Sequence, residues 1–463
     1  MRATAITAVF GLLLFATFAI GGKMKPPAIV PPPSPTPRVA EGPADPAIEQ
    51  LITNLGSEDW RTREKAGAEL AALGEKALPH MRKALLATEN PEVQRRLAVL
   101  VRKMDRDRLV EPKRVTLNTK DQTPKELFDA IAKQTGYRIE FNGSGAETKH
   151  SFEFNNTPFW QAVDTVANAV GCNVYAEYDD DTIRVYNQDT INPYISYSGP
   201  FRFLATNINT NRSVQLSNIS RRGDNQRVYE YINLSFQIQS EPKNPMLGVM
   251  VPELLEAKDD LGGSLMPPQD RNNFRANYYN GGFRGHNTYM NVNLVRGDRA
   301  ATTIKSLKGR VGIILLAGTV NDIAVTDVLK VKKKTFTGRT VEMELDSVTE
   351  DANQKGAYVA TFTAKKLTPS DPNRNEDYTW SNTLWQRLEL FDAKGNKYFC
   401  YGPSVHNNNG LGTVQLTVQF GPDDRRTGRP GAANLGPPAK FVLNEWLTTT
   451  QEVKFEFKDI PLP

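Results

Sequence analysis

Two stretches of this sequence begin with the same dipeptide and follow the same course: TPKELFDAIAKQTGYRIEF (residues 123–141) and TPFWQAVDTVANAVGCNVYAEY (residues 157–178). Threonine before proline is a typical helix start, with threonine at the N-cap and proline at the first helical position. In each stretch, apolar residues then recur at helical spacing until a glycine, Gly136 or Gly171, after which they alternate with polar ones. This predicts a helix followed by a strand. With strand-like segments before, between and after them, the two stretches predict a β-α-β-β-α-β-β module over residues 113–187.

The sequence of this module resembles the short N-terminal domain that secretins and TonB-dependent receptors share. The resemblance lies in RVTLNTKDQTPKELFDAIAKQTGYRIEF (residues 114–141) and SFEFNNTPFWQAVDTVANAVGCNVYAEYDDDTIRVYN (residues 151–187). In that family the domain is a periplasmic docking module that contacts partner proteins and is not an enzyme. No segment that resembles the secretin pore region follows here, so the resemblance implies the docking character alone.

The first 23 residues, MRATAITAVFGLLLFATFAIGGK, predict an exported chain. One early cation, Arg2, precedes an uncharged apolar run, as in a secretory signal peptide. The run is also long enough to span a bilayer, so a cleaved signal peptide and a retained membrane anchor both stay open. Residues 24–46 are dense in proline and predict a semi-rigid linker. We therefore expect a protein of the periplasm or cell envelope, anchored in the inner membrane if the apolar segment is retained.

Residues 47–108 predict a small helical bundle. The segments LGSEDWRTREKAGAELAALG (residues 55–74) and NPEVQRRLAVL (residues 90–100) resemble HEAT-type helical repeats. They cover too few repeats for a solenoid, which needs three or more to bury a continuous core. The last helix carries a basic face interleaved with acids, which we interpret as a solvated surface. No nucleic-acid partner is expected, since the net charge of the whole chain is only +5.

From residue 195 onward the spacing of apolar residues is that of strands. YEYINLSFQIQS (residues 229–240), TVQLTVQF (413–420) and EVKFEFKDI (452–460) alternate apolar with polar positions. The segment is long enough for two antiparallel β-sandwiches, Ig-like by analogy only. We place the boundary between them near Lys330, which predicts sandwiches over residues 195–330 and 331–463. The complete expectation is a multidomain α+β protein.

No residue pattern in the chain predicts a metal, a cofactor or an active site. The only two cysteines, Cys172 and Cys400, are far apart in the sequence, so both a disulfide and two free thiols stay open. Ser404 and His406 share one short stretch but lack a nucleophile elbow. The run Asp179 to Asp181 suits a hairpin turn better than a calcium loop. A further acidic group around VPELLEAKDDLGG predicts a strand and a turn, and comprises Glu253, Glu256, Asp259 and Asp260.

The segment of residues 267–291, PPQDRNNFRANYYNGGFRGHNTYMN, has the most unusual composition. Exposed aromatic, asparagine and arginine side chains are typical of contact surfaces. A loop that contacts a protein or a glycan through Phe274, Tyr278, Tyr279 and Phe283 is one interpretation, and a long connecting loop is the other. The sequence as a whole predicts a non-enzymatic envelope protein for protein–protein interaction or scaffolding. A carbohydrate- or cell-wall-binding protein is the alternative, and a hydrolase is a third hypothesis.

Overall fold

A computed structural model describes most of the chain beyond the proline-rich segment. The described residues are 45–143, 147–176, 181–187, 192–215, 227–267, 278–279, 284–297, 299–367, 376–408, 412–424, 429–432 and 435–463. They all belong to one compact unit. The predicted signal or anchor segment (residues 1–23) and most of the predicted linker (residues 24–46) lie outside them.

Four helices come first: α1 (Pro46–Asn54), α2 (Trp60–Leu73), α3 (Leu78–Ala87) and α4 (Pro91–Val110). Aspartate or asparagine caps three of them; Asn90, for example, accepts hydrogen bonds from the backbone of Glu92 and Val93 at the start of α4. The apolar faces close around one core that includes Ile52, Leu70, Met81 and Leu97. We call residues 46–110 the helical segment.

The α/β module follows over residues 114–187, and its elements have the order that the sequence predicts. They are β1 (Arg114–Gln122), α5 (Pro124–Thr135), β2 (Arg138–Asn142), β3 (His150–Pro158), α6 (Phe159–Ala169), β4 (Cys172–Ala176) and β5 (Thr182–Asn187). Strand β1 pairs antiparallel with β3, while β5 lies between a parallel β2 and an antiparallel β4. Both helices bury apolar residues in a shared core, among them Phe128 and Ile131 of α5 and Trp160 and Val163 of α6.

The expected helix start at Thr157-Pro158 is wrong in one respect. Both residues belong to β3, where Thr157 lies opposite Val115 of β1, and the helix begins at Phe159 without a side-chain cap. The backbone of the Thr-Pro pair is extended there because it completes a strand pairing. At Thr123-Pro124 the expectation holds, since Thr123 caps α5.

The rest of the described chain is mostly strand. In order, the elements are β6 (Ile195–Ser198), β7 (Phe201–Gln215), β8 (Arg227–Ser240), β9 (Met246–Met250), β10 (Glu253–Asp259), β11 (Tyr278–Tyr279), β12 (Asn287–Leu294), β13 (Thr303–Thr326), β14 (Lys334–Thr337), β15 (Val341–Glu350), β16 (Tyr358–Lys366), α7 (Glu376–Thr383), β17 (Leu388–Asp392), β18 (Phe399–Asn408), β19 (Thr413–Gly421), β20 (Asp423–Asp424), β21 (Arg429–Pro430) and β22 (Pro438–Pro461). The pairings among them are antiparallel throughout.

Two hydrophobic cores organise these strands. In the first, the sheet β12-β8-β7-β6 packs against one half of the sheet β11-β9-β13-β22-β17, and the ring centroid of Phe455 lies 5.3 Å from that of Phe203 and 5.1 Å from that of Phe236. In the second, the sheet β14-β15-β16-β19-β18 packs against the other half, around Phe362, Phe420 and Phe441. We call the two assemblies the first and second β units.

Strands β13 and β22 are common to both β units. They pair along their whole length, from Thr303 opposite Pro461 to Thr326 opposite Lys440. On β22, Phe441 and Leu443 lie in the second core, whereas Phe455 and Phe457 lie in the first. The boundary that we placed near Lys330 therefore does not separate the cores. No local signal in the sequence could show this, since the pairing joins segments more than a hundred residues apart.

Candidate functional site

A cluster of buried charged groups lies where the α/β module meets the first β unit. Arg202 stands on β7 between Phe201 and Phe203, which face the core, so its own side chain points outward against α6. It is 1% exposed. The guanidinium donates to the Asp164 carboxylate on α6, to the Val174 carbonyl oxygen at 2.7 Å and to Gln239 Oε1 at 2.8 Å.

Trp160 completes this contact from the preceding turn of α6. The guanidinium carbon of Arg202 lies 4.7 Å from the centre of the Trp160 ring, within the range of a cation–π interaction. The indole Nε1 donates to the carbonyl oxygen of Pro200 at 3.1 Å. One helix turn thus holds the β7 strand by an ion pair, a ring contact and a hydrogen bond at once.

The second oxygen of the Asp164 carboxylate accepts a hydrogen bond from Tyr197 Oη at 2.7 Å. Burial raises the pKa of Asp164, although the Arg202 guanidinium and the Tyr197 hydroxyl both act to lower it. Burial and the neighbouring carboxylate together raise the pKa of Tyr197. Each group here depends on its partner, because a buried charge without a partner is costly.

Glu241, which directly follows β8, is the centre of a second buried polar cluster beside the first. Its carboxylate accepts from the backbone N–H of Lys113 at 3.0 and 3.2 Å and from Tyr137 Oη at 2.7 Å. These donors lie at the entrance to the α/β module and just after α5. Burial raises the pKa of Glu241 to about 7, against the lowering by those hydrogen bonds. A contact between the module and the β unit therefore titrates near neutral pH.

The helical segment docks on the first β unit through the same kind of contact. Arg82 of α3 is buried, pairs with Asp105 of α4 and donates to the carbonyl oxygen of Ala317 at 2.7 Å. The register of β13 shifts at this point, between Leu316 and Gly318. A Cβ atom on Gly318 would lie 2.6 Å from the Arg82 guanidinium, so the glycine leaves room for the arginine.

His286, Asp181 and Ser240 form an array whose composition is that of a hydrolytic triad. His286 Nε2 lies 2.9 Å from Asp181 Oδ1, and its Nδ1 lies 3.2 Å from Ser240 Oγ. Burial would raise the pKa of Asp181, but the hydrogen bond and charge of His286 lower it. Ser240 is fully buried at the end of β8, and its backbone N–H donates to the His286 carbonyl oxygen. A nucleophile must reach a substrate, and the buried Ser240 hydroxyl does not. The geometry therefore indicates a structural role for the array, in which it joins the start of β5, the end of β8 and the start of β12.

Of the predicted contact-loop residues, Tyr278 and Tyr279 are described as strand β11. Their backbones pair with Met250 and Val249 of β9 and so extend the sheet of the first β unit. Phe274 and Phe283 lie outside the described residues. The loop's role in binding stays a prediction.

The acids around residue 256 serve local structure. Glu253 pairs with Arg310, and Glu256 accepts from Ser306 Oγ at 3.0 Å. Asp259 is buried and accepts from the backbone of Leu261 and Gly263, whereas the carboxylate of Asp260 accepts from Thr302. Asp259 thus stabilises the turn after β10, and Glu253 and Glu256 link β10 to side chains of β13.

Neither the Ser404–His406 stretch nor the cysteines form a reactive arrangement. Ser404 and His406 are exposed on β18, and Ser404 Oγ donates to the carbonyl oxygen of Thr417 at 3.2 Å. Cys172, in the α/β module, and Cys400, in the second β unit, are both free, so the disulfide that the sequence left open is not formed. Asp179 and Asp180 lie outside the described residues.

Within the described ranges, no three or more histidine, cysteine or acidic side chains are placed to hold a metal ion. Among the helices described there, none combines the length and apolar character needed to span a bilayer. A scan against protein-family models and a search of the curated proteins both returned no match.

The buried contacts of Arg202, Asp164 and Glu241 were not predicted from the sequence. Arg202 occupies an outward position of an alternating strand, where a charge normally faces water. Asp164 lies between Val163 and Val166 in a predominantly apolar helix, and this was the one signal available: an acid on such a helix needs a buried partner. Glu241 follows directly after β8 in the sequence and carries no such signal.

Proposed function

We propose that this chain is an exported, non-enzymatic envelope protein that acts as a scaffold for protein–protein interaction. In this proposal a HEAT-like helical bundle and a secretin-type docking module are held on two Ig-like β-sandwiches, and the α/β module contacts the partner. The observation that carries the proposal is the set of buried charged contacts at the joints. Asp164–Arg202, Glu241–Tyr137 and the hydrogen bond from the buried Arg82 to the Ala317 carbonyl oxygen join the parts to one another.

A scaffold requires such joints, because partners bound to different parts must be presented at fixed distances. Interfaces between domains that move relative to each other usually bury little area and are more polar than permanent interfaces. Here the charged groups at the joints are buried with their partners, and the two β units share the β13–β22 pair. Both features resist relative motion of the parts.

Crosslinking in the native envelope tests the proposal. The full chain would be crosslinked in intact cells with an amine-reactive reagent, recovered, and its crosslinked peptides mapped by mass spectrometry. We expect crosslinks from exposed lysines of the α/β module, such as Lys125 and Lys133, to another envelope protein. A chain that fractionates with the cytosol, or whose crosslinks to other proteins all avoid residues 114–187, would overturn the proposal.

Two matched variants would separate the module's surface from its attachment. Lys125→Glu with Asp129→Lys reverses an exposed ion pair of α5 and touches no buried group. Lys65→Glu with Glu69→Lys does the same on α2 of the helical segment. A partner that docks on the α5 surface is recovered less well with the first variant and equally well with the second. Unchanged recovery with both variants would place the contact elsewhere on the module.

A further inference from the structure

The sheet β12-β8-β7-β6 has a second face that the first core does not use. On β8, Ile232, Leu234 and Phe236 point into the core, so the residues between them point outward. The outward positions are Tyr231, Asn233, Ser235 and Gln237. The α/β module covers one end of this face, at Arg202 and Gln239, and leaves the other end open to solvent.

Strand β12 continues the open part of the face on one side. Tyr289, Asn291 and Asn293 lie opposite Gln237, Ser235 and Asn233 in the antiparallel register. Their neighbours Met290, Val292 and Leu294 are buried in the core. Tyr289 is 56% exposed and Tyr231 is 38% exposed.

Strand β7 continues it on the other side because of a register shift. The shift between Ala205 and Asn207 changes which residues point outward, so that Asn207 lies opposite Ser235, Asn209 opposite Asn233 and Asn211 opposite Tyr231. All three asparagines are exposed. A β-bulge of this kind is a typical means of redirecting side chains.

The resulting open surface, which we call the Asn/Tyr face, carries no charge. Between residues 207 and 213 of β7, 231 and 235 of β8, and 289 and 293 of β12, every outward side chain is neutral, and most are asparagine. In the chain as a whole 24% of residues are charged, and soluble surfaces ordinarily carry about 25–35% charged residues. A solvated sheet surface with no other role would therefore carry several charges.

Hydrogen bonds hold the side chains of this face in place. The buried Arg202 donates to Gln239, whose amide donates to Gln237 Oε1 at 2.9 Å, and Gln237 in turn donates to Tyr289 Oη at 3.2 Å. Further along, Asn233 Nδ2 donates to Asn293 Oδ1 at 3.0 Å. The exposed tyrosine ring is thus oriented by a chain of bonds that begins at the buried ion pair. Such preorganisation reduces the entropy lost when a ligand binds.

We propose that the Asn/Tyr face binds an uncharged polysaccharide. Each asparagine amide offers donors and an acceptor, which match hydroxyl groups that both donate and accept. A tyrosine ring offers an apolar surface to the carbon-bound hydrogens of a sugar, with a polar tip. Since the face is neutral, charge complementarity favours an uncharged ligand. An anionic polymer would instead be bound by arginine and lysine, which this surface lacks between the stated residues.

The size of the face fits an extended chain better than a single sugar. Outward neighbours along a strand are about 7 Å apart, and adjacent strands are separated by about 4.8 Å. Four outward rows therefore span roughly 20 Å, from the row of the exposed Tyr289, which lies opposite the buried Gln237, to the row of Tyr231. This proposal is independent of the scaffold function, because it concerns the β sheet and not the α/β module's partner surface.

Affinity electrophoresis of the full chain tests it. Native gels would contain hydroxyethyl cellulose, glucomannan, dextran or soluble starch, with alginate as the anionic comparison. We expect at least one neutral polymer to retard the protein and alginate to leave it unretarded. Tyr289→Ala and Tyr231→Ala should each weaken the retarding affinity about tenfold, a change equivalent to ~1.4 kcal/mol.

Tyr186→Ala is the matched control, because Tyr186 is 39% exposed on β5, which belongs to the sheet β2-β5-β4 of the α/β module and not to the sheet of this face. It should bind as the unmodified protein does. Tyr289→Phe keeps the ring and removes only the hydroxyl that Gln237 contacts, so we expect a small loss of affinity, below about threefold. This variant keeps the test valid if Tyr289→Ala folds poorly. Retardation by none of the four neutral polymers, equal retardation by alginate, or full affinity in both Tyr231 and Tyr289 variants would overturn the proposal.

Discussion

Helices α5 and α6 of the α/β module follow the same dipeptide in the sequence, yet they are held in different ways. Helix α5 begins at Thr123-Pro124 with a capping box, in which the Thr123 side chain accepts from the backbone of Glu126 and the Glu126 carboxylate accepts in return from the backbone of Thr123. It ends at Gly136, whose φ of 74° is left-handed. Both of its ends are therefore satisfied by residues within or next to the helix.

Helix α6 has no side-chain cap at its start. Its side chains are instead buried on nearly every turn, including Phe159, Trp160, Asp164 and Val166. Two of them reach beyond the module, where Asp164 pairs with Arg202 and Trp160 donates to Pro200. The helix depends on the first β unit to satisfy its polar groups.

The difference shows that one sequence signal can have two physical bases. Capping stabilises a helix by about 0.5–2 kcal/mol and does so locally. Tertiary packing supplies most of the stability of helices in proteins, and in α6 it also supplies the partner for a buried carboxylate. Helix α5 has both ends satisfied within the module, whereas α6 also helps to attach the module to the first β unit.

The largest expected effect is that of Arg202→Met. It removes the guanidinium and leaves the Asp164 carboxylate buried without its cationic partner. Breaking one side of a buried ion pair costs about 3–5 kcal/mol. We expect the opening free energy of α6, measured by hydrogen exchange of its backbone amides, to fall by that amount while α5 amides change less.

The double variant Arg202→Met with Asp164→Leu is the matched control for this result. It replaces both charges by apolar side chains, which is often nearly neutral for stability. Most of the lost protection should return. If the single variant costs less than about 1 kcal/mol, the ion pair does not hold α6.

A second prediction concerns Glu241, which links the chain just after α5 to the first β unit through Tyr137. Its pKa in the folded protein is about 7, above the ordinary 4.5. Between these two pH values the folded state binds more protons than the unfolded state, so stability falls as pH rises. The difference of pKa corresponds to about 3 kcal/mol, present below pH 4.5 and lost by about pH 7.

Glu241→Gln should remove this dependence. The opening free energy of the α/β module would be measured by hydrogen exchange at pH 5 and pH 8, after correction for intrinsic exchange rates. The difference between variant and unmodified protein should change by about 2.5 kcal/mol between the two pH values, in favour of the variant at pH 8. Glu253→Gln alters an exposed glutamate and should show no comparable change. Equal pH profiles for the Glu241 variant and the unmodified protein would contradict the assignment.

The sequence predicts the parts of this comparison that depend on near neighbours. The Thr123 cap, the Gly136 end and the order of elements in the module follow from signals a few residues long. The attachment of α6 could not be predicted, because Arg202 looks like a solvent-facing residue until a helix from another part of the chain covers it. The β13–β22 pair, which places Phe441 and Phe455 in different cores, depends in the same way on contacts between distant segments.

A third prediction weakens the α6 attachment without unpairing a charge. Trp160→Phe keeps an aromatic ring near Arg202 and removes the indole donor to Pro200. The Pro200 carbonyl oxygen still accepts from the backbone of Glu241 at 2.9 Å, so no buried acceptor is left without a partner. We expect a loss of about 1–2 kcal/mol in α6 opening free energy by hydrogen exchange. Trp60→Phe, at a ring 60% exposed on α2, should stay within about 0.5 kcal/mol of the unmodified protein.

The smallest effect tests the comparison most directly, by making the same change at both Thr-Pro pairs. Valine has the shape of threonine and lacks only the hydroxyl. Thr123→Val removes the cap of α5 and should lower the protection of its first-turn amides by about 1 kcal/mol. Thr157→Val alters a β3 residue that caps nothing, and valine suits a strand, so α6 protection should change by less than about 0.5 kcal/mol. Equal losses in the two helices would mean that Thr157 stabilises α6 after all, and that both helices depend on the same local signal.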